Sequence, residues 1–273
     1  MRIIQISDTH ISPAHAHFAA NTAATAAWLA TQHADLVVHT GDLCMDAART
    51  PGELATAAAW VRAVAPGLLC VPGNHDVGDS VVINPSQVID DAHLAAWRSD
   101  IGPDRWRIDA GGWRLIGLNA MLLGTGHADE ARQLDWFAAE LACKLPTVLF
   151  LHKPLFIDHP AEPARGYWTV TPEPRARLLA LIEAAPVKLI ASGHLHIHRQ
   201  TRHGGIDYVW GPAASFVCGA SQEDLGGIRR LGAIEYSFGV EHVASRFVRP
   251  DGLDDLQIDP VQHIIYPRPE PAR

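Results

Sequence analysis

Short apolar segments alternate with helix-forming stretches through the first 75 residues, and this alternation constrains the fold more than any other feature. The apolar segments are only a few residues long and end in Gly, Pro or polar residues, as buried strands do. The stretches between them are rich in Ala and contain few helix-breaking residues. Strand–helix–strand alternation of this kind is typical of a parallel sheet with crossover helices. The predicted elements are strand 2–7, helix 17–33, strand 35–40, helix 50–65 and strand 67–71.

The middle of the chain continues the alternation less regularly. From residue 199 onward, short segments separated by Gly and polar residues indicate antiparallel strands. We therefore expect an α/β protein with two sheets packed face to face and helices outside. The predicted helices cover 89–99, 129–143 and 172–184, and the predicted strands cover 113–119, 147–151, 187–191, 206–210, 231–238 and 242–248.

The last part of the chain differs in composition. Residues 251–273 are rich in Pro and Asp, which predicts an irregular tail after a single domain over residues 1–250. Within this tail, Gln262 to Tyr266 is strand-like and could dock as an edge strand or contact a second copy of the chain.

A cluster of polar residues directly follows each of five predicted strands. In open α/β sheets the carboxyl ends of the strands are where ligands bind, so these clusters are expected to share one site. The five clusters are Asp8-Thr9-His10, Gly41-Asp42, Gly73-Asn74-His75-Asp76, His152 and Gly193-His194-Leu195-His196.

The residue types in these clusters are those that bind divalent metal ions. Carboxylate and amide oxygens and imidazole nitrogens suit Mn, Fe and Zn, whereas the absence of Cys excludes a Cys-type structural zinc site. Seven or eight ligands are too many for one tetrahedral ion and suit two ions about 3.5–4 Å apart. Asp42 is the expected bridge, because a carboxylate spans two cations readily.

Each cluster is a weak signal by itself. Gly-Asp is usually an ordinary turn, a single His such as His152 is usually structural, and Asp-x-His rarely marks a metal site. The joint occurrence of all five, in this order and each at a strand end, is hard to obtain by chance. Gly41, Gly73 and Gly193 each precede a candidate ligand, where glycine permits a tight turn or a close backbone approach.

The ordered set D-x-H, G-D, G-N-H-D, a later His and G-H-x-H resembles the pattern of the calcineurin-like metallophosphoesterase superfamily over residues 2–198. The resemblance implies a four-layer α/β/β/α sandwich of two mixed sheets flanked by helices. It also implies two metal ions per chain, with Mn and Fe favoured and Zn compatible. One ion would be held by Asp8, His10, Asp42 and His196, and the other by Asp42, Asn74, His152 and His194.

The same resemblance implies roles for two residues that do not bind metal. His75 would face the substrate, stabilise charge on the phosphoryl group and protonate the leaving oxygen. Asp76 is grouped with it as a catalytic candidate that orients His75 or the surrounding loop. The nucleophile would be hydroxide, formed from water that the two ions activate.

The resemblance points most directly to bacterial cyclic-nucleotide phosphodiesterases and their glycerophosphodiesterase-like relatives. The leading hypothesis is therefore hydrolysis of a small phosphodiester. A phosphomonoesterase with the same metal centre is the nearest alternative. A non-catalytic scaffold, as a retromer subunit of this superfamily is, is a weaker one, because every motif position is present.

Candidate substrate contacts come from two loops. Residues 153–171, after His152, are rich in Pro and aromatic residues, and residues 122–129 form a second rim segment. The contact candidates are His159, Arg165, Tyr167, Trp168 and His127.

The segment Val77-Gly78-Asp79 departs from the pattern of the cyclic-nucleotide members, which often have a basic residue after G-N-H-D. An acidic residue at the mouth of the site would disfavour highly charged substrates.

The composition of the chain limits the classes of substrate and partner that we expect. The formal net charge is −8, which argues against a nucleic-acid substrate, since such proteins usually carry a basic face. The chain has no apolar run of eighteen residues and no signal-peptide pattern, so we expect a cytoplasmic protein without membrane contact. The four cysteines are widely spaced and are expected to be reduced thiols, and a homodimer or higher homo-oligomer is compatible with the tail.

Overall fold

The structure is a computed structural model that describes residues 1–50, 52–65 and 67–266. Its strands are β1 (Arg2–Ile6), β2 (Leu36–His39), β3 (Leu69–Cys70), β4 (Trp106–Ala110), β5 (Trp113–Gly117), β6 (Thr147–Phe150), β7 (Val187–Ser192), β8 (Arg199–His203), β9 (Ile206–Trp210), β10 (Ala233–Phe238) and β11 (Val243–Val248). Its α-helices are α1 (Ala19–Ala30), α2 (Glu53–Val64), α3 (Asn74–Val77), α4 (Asp91–Asp100), α5 (Ala128–Leu141), α6 (Pro172–Glu183) and α7 (Gln262–Ile265).

The strands form two mixed sheets. The first has the order β11-β10-β1-β2-β3, in which β1, β2 and β3 are parallel and β10 is antiparallel to both β1 and β11. The second has the order β4-β5-β6-β7-β9-β8, with a parallel centre and an antiparallel strand at each edge. Parallel neighbours require crossover connections, which the predicted helices supply except between β7 and β9, where the chain passes through β8.

The core lies in three layers because successive strand side chains point to opposite faces. Ile3 and Val148 belong to the cluster between the two sheets, where β1 and β6 face each other. Ile4 and Ile6 face outward to pack under α1 and α2. Leu149 faces the opposite way and packs under α5 and α6. The predicted four-layer sandwich, with helices covering both outer sheet faces, is confirmed.

Two strands and two short helices differ from the sequence-based expectation, and one of these helices is α3, which was not predicted. The edge strands β4 and β8 were not predicted, because their charged residues obscure the apolar alternation, as is common at exposed edges. The prediction of a strand over Gln262 to Tyr266 is wrong, because α7 forms one helical turn there. Backbone amides of Ile264 and Ile265 donate to Val261 O, and Ile265 is buried against neighbouring apolar side chains. The part of the tail over 267–273 lies outside the described residues.

The helices in the described ranges include no segment that is long and apolar enough to cross a membrane.

Candidate metal centre

The loops after β1, β2, β3, β6 and β7 meet at one edge of the paired sheets. These loops carry all seven predicted metal ligands, and each of the seven is at most 4% exposed. Parallel strands bring their carboxyl ends to the same edge, so five separate sequence segments converge there. The seven residues are Asp8, His10, Asp42, Asn74, His152, His194 and His196.

The first group of ligand atoms comes from Asp8, His10 and His196. The Nε2 atoms of His10 and His196 are 3.2 Å apart, and His196 Nε2 lies 3.4 Å from Asp8 Oδ1. His10 Nε2 lies 3.9 Å from the same carboxylate oxygen. Two ligands that are each about 2.0–2.2 Å from one ion are themselves roughly 3–3.5 Å apart, so this spacing suits a shared ion.

The second group comes from Asn74, His152 and His194, with Asp42 beside them. His152 Nε2 lies 3.2 Å from Asn74 Oδ1, 3.2 Å from His194 Nδ1 and 3.2 Å from Asp42 Oδ2. One amide oxygen, two imidazole nitrogens and one carboxylate oxygen therefore converge on a single point, as the ligands of one divalent ion would.

The carboxylate of Asp42 connects the two groups. Its Oδ2 is 3.2 Å from His152 Nε2 in the second group and 3.9 Å from His10 Nε2 in the first. Its Oδ1 accepts a hydrogen bond from the backbone amide of His75 at 2.9 Å, which fixes the orientation of the carboxylate. Asp42 thus lies between the two groups and adjoins a histidine of each.

Backbone carbonyl oxygens orient three of the histidine rings. A carbonyl oxygen only accepts, so the ring nitrogen beside it must donate, and the other nitrogen is left to face the metal group. The pairs are His152 Nδ1 with Thr40 O at 2.7 Å, His196 Nδ1 with Phe216 O at 2.7 Å and His194 Nε2 with Tyr167 O at 2.8 Å.

A buried carboxylate oxygen without a hydrogen-bond partner indicates that the site is built for cations. Asp8 Oδ1 makes no hydrogen bond, although its side chain is fully buried. An unpaired buried carboxylate oxygen is costly unless a cation neutralises it. The residues therefore fit a pair of divalent metal ions with nitrogen and oxygen ligands.

Burial and neighbouring charges shift the pKa values of the site residues in opposite directions. Burial would lower the pKa of His152, but the carboxylate of Asp42 raises it to about 9. Burial would raise the pKa of Asp42, but the charges of His152 and His75 hold it well below its usual range. Burial lowers the pKa of His10 and of His194 well below the ordinary histidine value. A metal ion would replace the His152 proton, because a histidine ligand must be deprotonated.

Left-handed backbone conformations are concentrated in the ligand loops. Within the described residues, the non-glycine residues with positive φ are all predicted ligands, with φ between 44° and 70°. Such conformations cost roughly 1–3 kcal/mol each and persist where the surroundings enforce them, typically at functional sites. The five residues are Asp8, His10, Asp42, His194 and His196.

Two of the predicted glycines are required for close approach. A methyl group on Gly73 would overlap the carboxylate of Asp42, and one on Gly193 would overlap Ser7 Oγ and crowd the carboxylate of Asp8. Both glycines therefore let one ligand loop pack directly against another, as the sequence pattern predicted.

The two catalytic candidates lie in different surroundings. His75 is half-buried, lines the cleft and lies close to His10, with ring centroids 5.0 Å apart. Asp76 does not reach the cleft. Its carboxylate accepts hydrogen bonds from the backbone amides of Leu43, Cys44 and Gly73 at 2.9–3.2 Å. Asp76 therefore joins the loops after β2 and β3, which corresponds to the second of its two predicted roles, orientation of the surrounding loop.

A cleft of about 390 Å³ opens above the two metal groups. Tyr167 and Trp168 line it, as predicted. Three other predicted contacts do not line it. His159 and Arg165 are exposed on the outer part of their loop. His127 caps α5, since its Nδ1 accepts a hydrogen bond from Asp129 N at 3.1 Å.

The expectation that Asp79 adds negative charge at the mouth of the site is also wrong. Asp79 is 4% exposed and forms an ion pair with Lys153, which is 3% exposed. The Lys153 ammonium group lies 5.6 Å from the centre of the Tyr167 ring. Because the two charges offset each other and neither residue lines the cleft, Asp79 does not oppose an anionic substrate.

Sequence reasoning missed the opposite wall of the cleft. Phe216, Gln222, Gln262 and Tyr266 all line it, although they follow no recognisable motif. The sequence signal that could have identified them as lining residues is weak. It consists of aromatic and amide side chains in a part of the chain to which no motif assigns a role.

The two-sheet architecture and the paired ligand groups define an α/β protein with a dinuclear metal centre. A family model described as calcineurin-like phosphoesterase matches residues 1–198. The chain belongs to the calcineurin-like phosphoesterase family.

Two curated relatives have different activities in their names. A probable cyclic nucleotide phosphodiesterase from Rhodococcus erythropolis is 34% identical over 103 residues, which cover 36% of this chain and 32% of the relative. The serine/threonine-protein phosphatase CPPED1 from Danio rerio is 29% identical over 201 residues, covering 70% of this chain and 59% of the relative. The matches thus span about a third and about three fifths of the lengths of these relatives.

The crystal structure of a dimetal phosphatase from Danio rerio has the same fold. It superposes with a TM-score of 0.61 at 14% sequence identity, over 94% of this chain and 98% of that chain.

Proposed function

We propose that the protein is a dinuclear metal-dependent hydrolase of small phosphodiesters. The observation that carries this proposal is the position of Asp42, whose carboxylate lies between two complete groups of nitrogen and oxygen ligands beneath a small cleft. Cyclic nucleotides and glycerophosphodiesters are the substrate classes to test first, because one relative is named as a probable cyclic nucleotide phosphodiesterase.

The ligand groups suggest how two ions would be held. Asp8, His10 and His196 would bind one ion and Asn74, His152 and His194 the other, with Asp42 shared between them. When bound, the ions would supply an activated water and neutralise the phosphoryl oxygens. Mn and Fe are the favoured ions, and Zn also suits this ligand set.

His75 is the residue proposed to act on the substrate. Its backbone amide is fixed by Asp42, and its side chain faces the cleft beside the first ligand group. An imidazole at this position can donate a hydrogen bond to a phosphoryl oxygen or to the departing oxygen.

The cleft walls favour a small substrate with low charge. Tyr167, Trp168 and Phe216 offer aromatic surfaces on which a planar group can pack. Arg49 is the only arginine or lysine among the described lining residues, and its charge is offset by Asp46, whose Oδ2 lies 3.1 Å from Arg49 Nε. A diester carries one negative charge where a monoester carries up to two, so these walls favour the diester.

The proposal is tested by comparing kcat/KM of the Mn-loaded protein for bis(p-nitrophenyl) phosphate and for p-nitrophenyl phosphate. We expect the diester to be favoured by roughly tenfold or more, which corresponds to about 1.4 kcal/mol of transition-state stabilisation. A preference for the monoester would contradict the proposal and support the phosphomonoesterase alternative, which the similarity to a protein phosphatase favours.

Removal of the metal ions should abolish hydrolysis and lower thermal stability together. Ions that bind only the folded protein stabilise it by about 2.7 kcal/mol at a free concentration a hundred times their Kd. Dialysis against a chelator should therefore lower the unfolding midpoint, and added Mn²⁺ should restore both properties. Undiminished hydrolysis by protein shown to be metal-free by elemental analysis would contradict the proposed site.

A further inference from the structure

The cleft wall opposite Tyr167 is formed by a segment that lies beyond the family match. Residues 258–266 contribute Ile258, Asp259, Gln262 and Tyr266 to the lining, whereas the family model ends at residue 198. The segment is far from the five ligand motifs in sequence and is adjacent to them in space.

Backbone and apolar contacts fix this segment to the metal centre. Val217 N donates to Leu256 O at 2.9 Å, and Ile258 N donates to Val217 O at 3.1 Å. Ile258 and Ile265 pack with Phe216, whose carbonyl oxygen accepts from the His196 ring. The segment therefore has a defined position relative to a ligand histidine.

Two tyrosine hydroxyl groups lie on either side of the His75 ring. Tyr266 Oη is 3.5 Å from His75 Nδ1, and Tyr167 Oη is 3.4 Å from His75 Nε2. The rings of Tyr266 and His75 are also in contact, with centroids 5.2 Å apart. Each nitrogen of this imidazole thus has its own phenol partner.

Each tyrosine hydroxyl also makes a hydrogen bond to a group other than His75. These second hydrogen bonds determine which of the two hydroxyls donates to the imidazole of His75. Tyr266 donates its proton to Met45 O at 3.1 Å, because a carbonyl oxygen only accepts. Its oxygen is therefore left to accept from His75 Nδ1. Tyr167 Oη accepts from Asn74 Nδ2 at 2.7 Å, so its own proton points to His75 Nε2. In this neutral form the ring carries its proton on Nδ1 and aims Nε2 at the Tyr167 side of the cleft, and Nε2 donates to a substrate oxygen only when it is protonated as well.

We infer that Tyr266 is a positioning residue that holds the imidazole of His75 in its working orientation. The inference rests on the proposed function, in which His75 acts on the phosphate ester. It makes the segment over 258–266 a part of the active site rather than a separate tail. Without the Tyr266 hydroxyl, the ring would lose its Nδ1 partner and would rotate away from the substrate more often.

The Tyr266→Phe variant should lower kcat by about 5- to 10-fold, as expected for loss of one hydrogen bond, with less than a twofold change in KM. The same substitution made in a His75→Ala background should have almost no further effect on kcat. Residues that act through one another show this non-additivity, whereas a general structural defect would reduce both backgrounds equally. Equal losses in the two backgrounds, or no loss in the otherwise unchanged protein, would overturn the inference.

A spectroscopic readout separates this inference from the proposed function. Long-range ¹H–¹⁵N spectra of the Zn-loaded protein should show His75 protonated at Nδ1, and the Tyr266→Phe variant should shift that nitrogen or convert it to a mixture of tautomers. Tyr208→Phe is the matched control, since Tyr208 packs against Phe156 and His203 away from the cleft. An unchanged His75 spectrum in Tyr266→Phe would refute the inference even if no ester were hydrolysed.

Discussion

Asp42→Asn should lower kcat/KM for a small phosphodiester by roughly 10³-fold or more and should reduce the bound metal from two ions per chain to one or none. The substitution keeps the volume of the side chain but removes the negative charge between the two ligand groups. A neutral amide cannot offset the repulsion of two adjacent cations, and loss of one electrostatic contributor alone typically costs 10²–10³ in rate. Activity and elemental analysis on the same preparation measure both effects.

Two matched variants separate metal loss from other causes. Asp207→Asn makes the same chemical change on β9, where Asp207 pairs with Arg202 outside the cleft, and should leave activity and metal content unchanged. His75→Ala should lower kcat by about 10²-fold while both ions stay bound, because loss of a general acid removes that contribution. Diester hydrolysis that survives both Asp42→Asn and His75→Ala would refute the assignment of the site.

The convergence of the seven candidate ligands was predictable from sequence because their positions follow from strand topology. Each ligand comes directly after an apolar segment, and the carboxyl ends of parallel strands necessarily meet at one edge. The left-handed conformations of Asp8, Asp42 and His196 were not predictable, because they result from the packing of one ligand loop against another. Residue type and order therefore specify the ligand set, whereas the tertiary fold specifies its geometry.

The substrate contacts were less predictable because the same residue types serve structural purposes. His127 and Tyr167 were both candidate contacts in sequence, but one caps a helix and the other lines the cleft. Tyr266 had no motif near it, and its helical turn is specified by burial of Ile265 rather than by local preference. The sequence pattern placed Asp79 at the mouth of the site, whereas the structure buries it in an ion pair with Lys153.

Lys153→Met should reduce the free energy of unfolding by about 3–5 kcal/mol, the typical cost of removing one partner from a buried ion pair. Both members of the pair are nearly inaccessible, and the remaining Asp79 carboxylate would keep only the Ser80 amide, at 2.7 Å from its Oδ1. Urea denaturation of the metal-loaded protein, followed by circular dichroism, measures the change. Lys188→Met is the control, because Lys188 is exposed on β7 and its loss should change stability by less than about 0.5 kcal/mol.

The double variant Lys153→Met/Asp79→Asn tests why Lys153→Met is less stable. The loss of stability could come from loss of the ion pair itself or from the uncompensated charge left on Asp79. Replacing both charged partners by neutral groups of similar size is often neutral, so the double variant should recover most of the stability lost in Lys153→Met. Its activity should nevertheless fall, since Tyr167 would lose the ammonium group that lies 5.6 Å from its ring and would hold the cleft wall less firmly. If the double variant were as unstable as Lys153→Met, removal of the Asp79 charge would have restored no stability. The stabilisation would then come from the packing of the lysine side chain rather than from its charge.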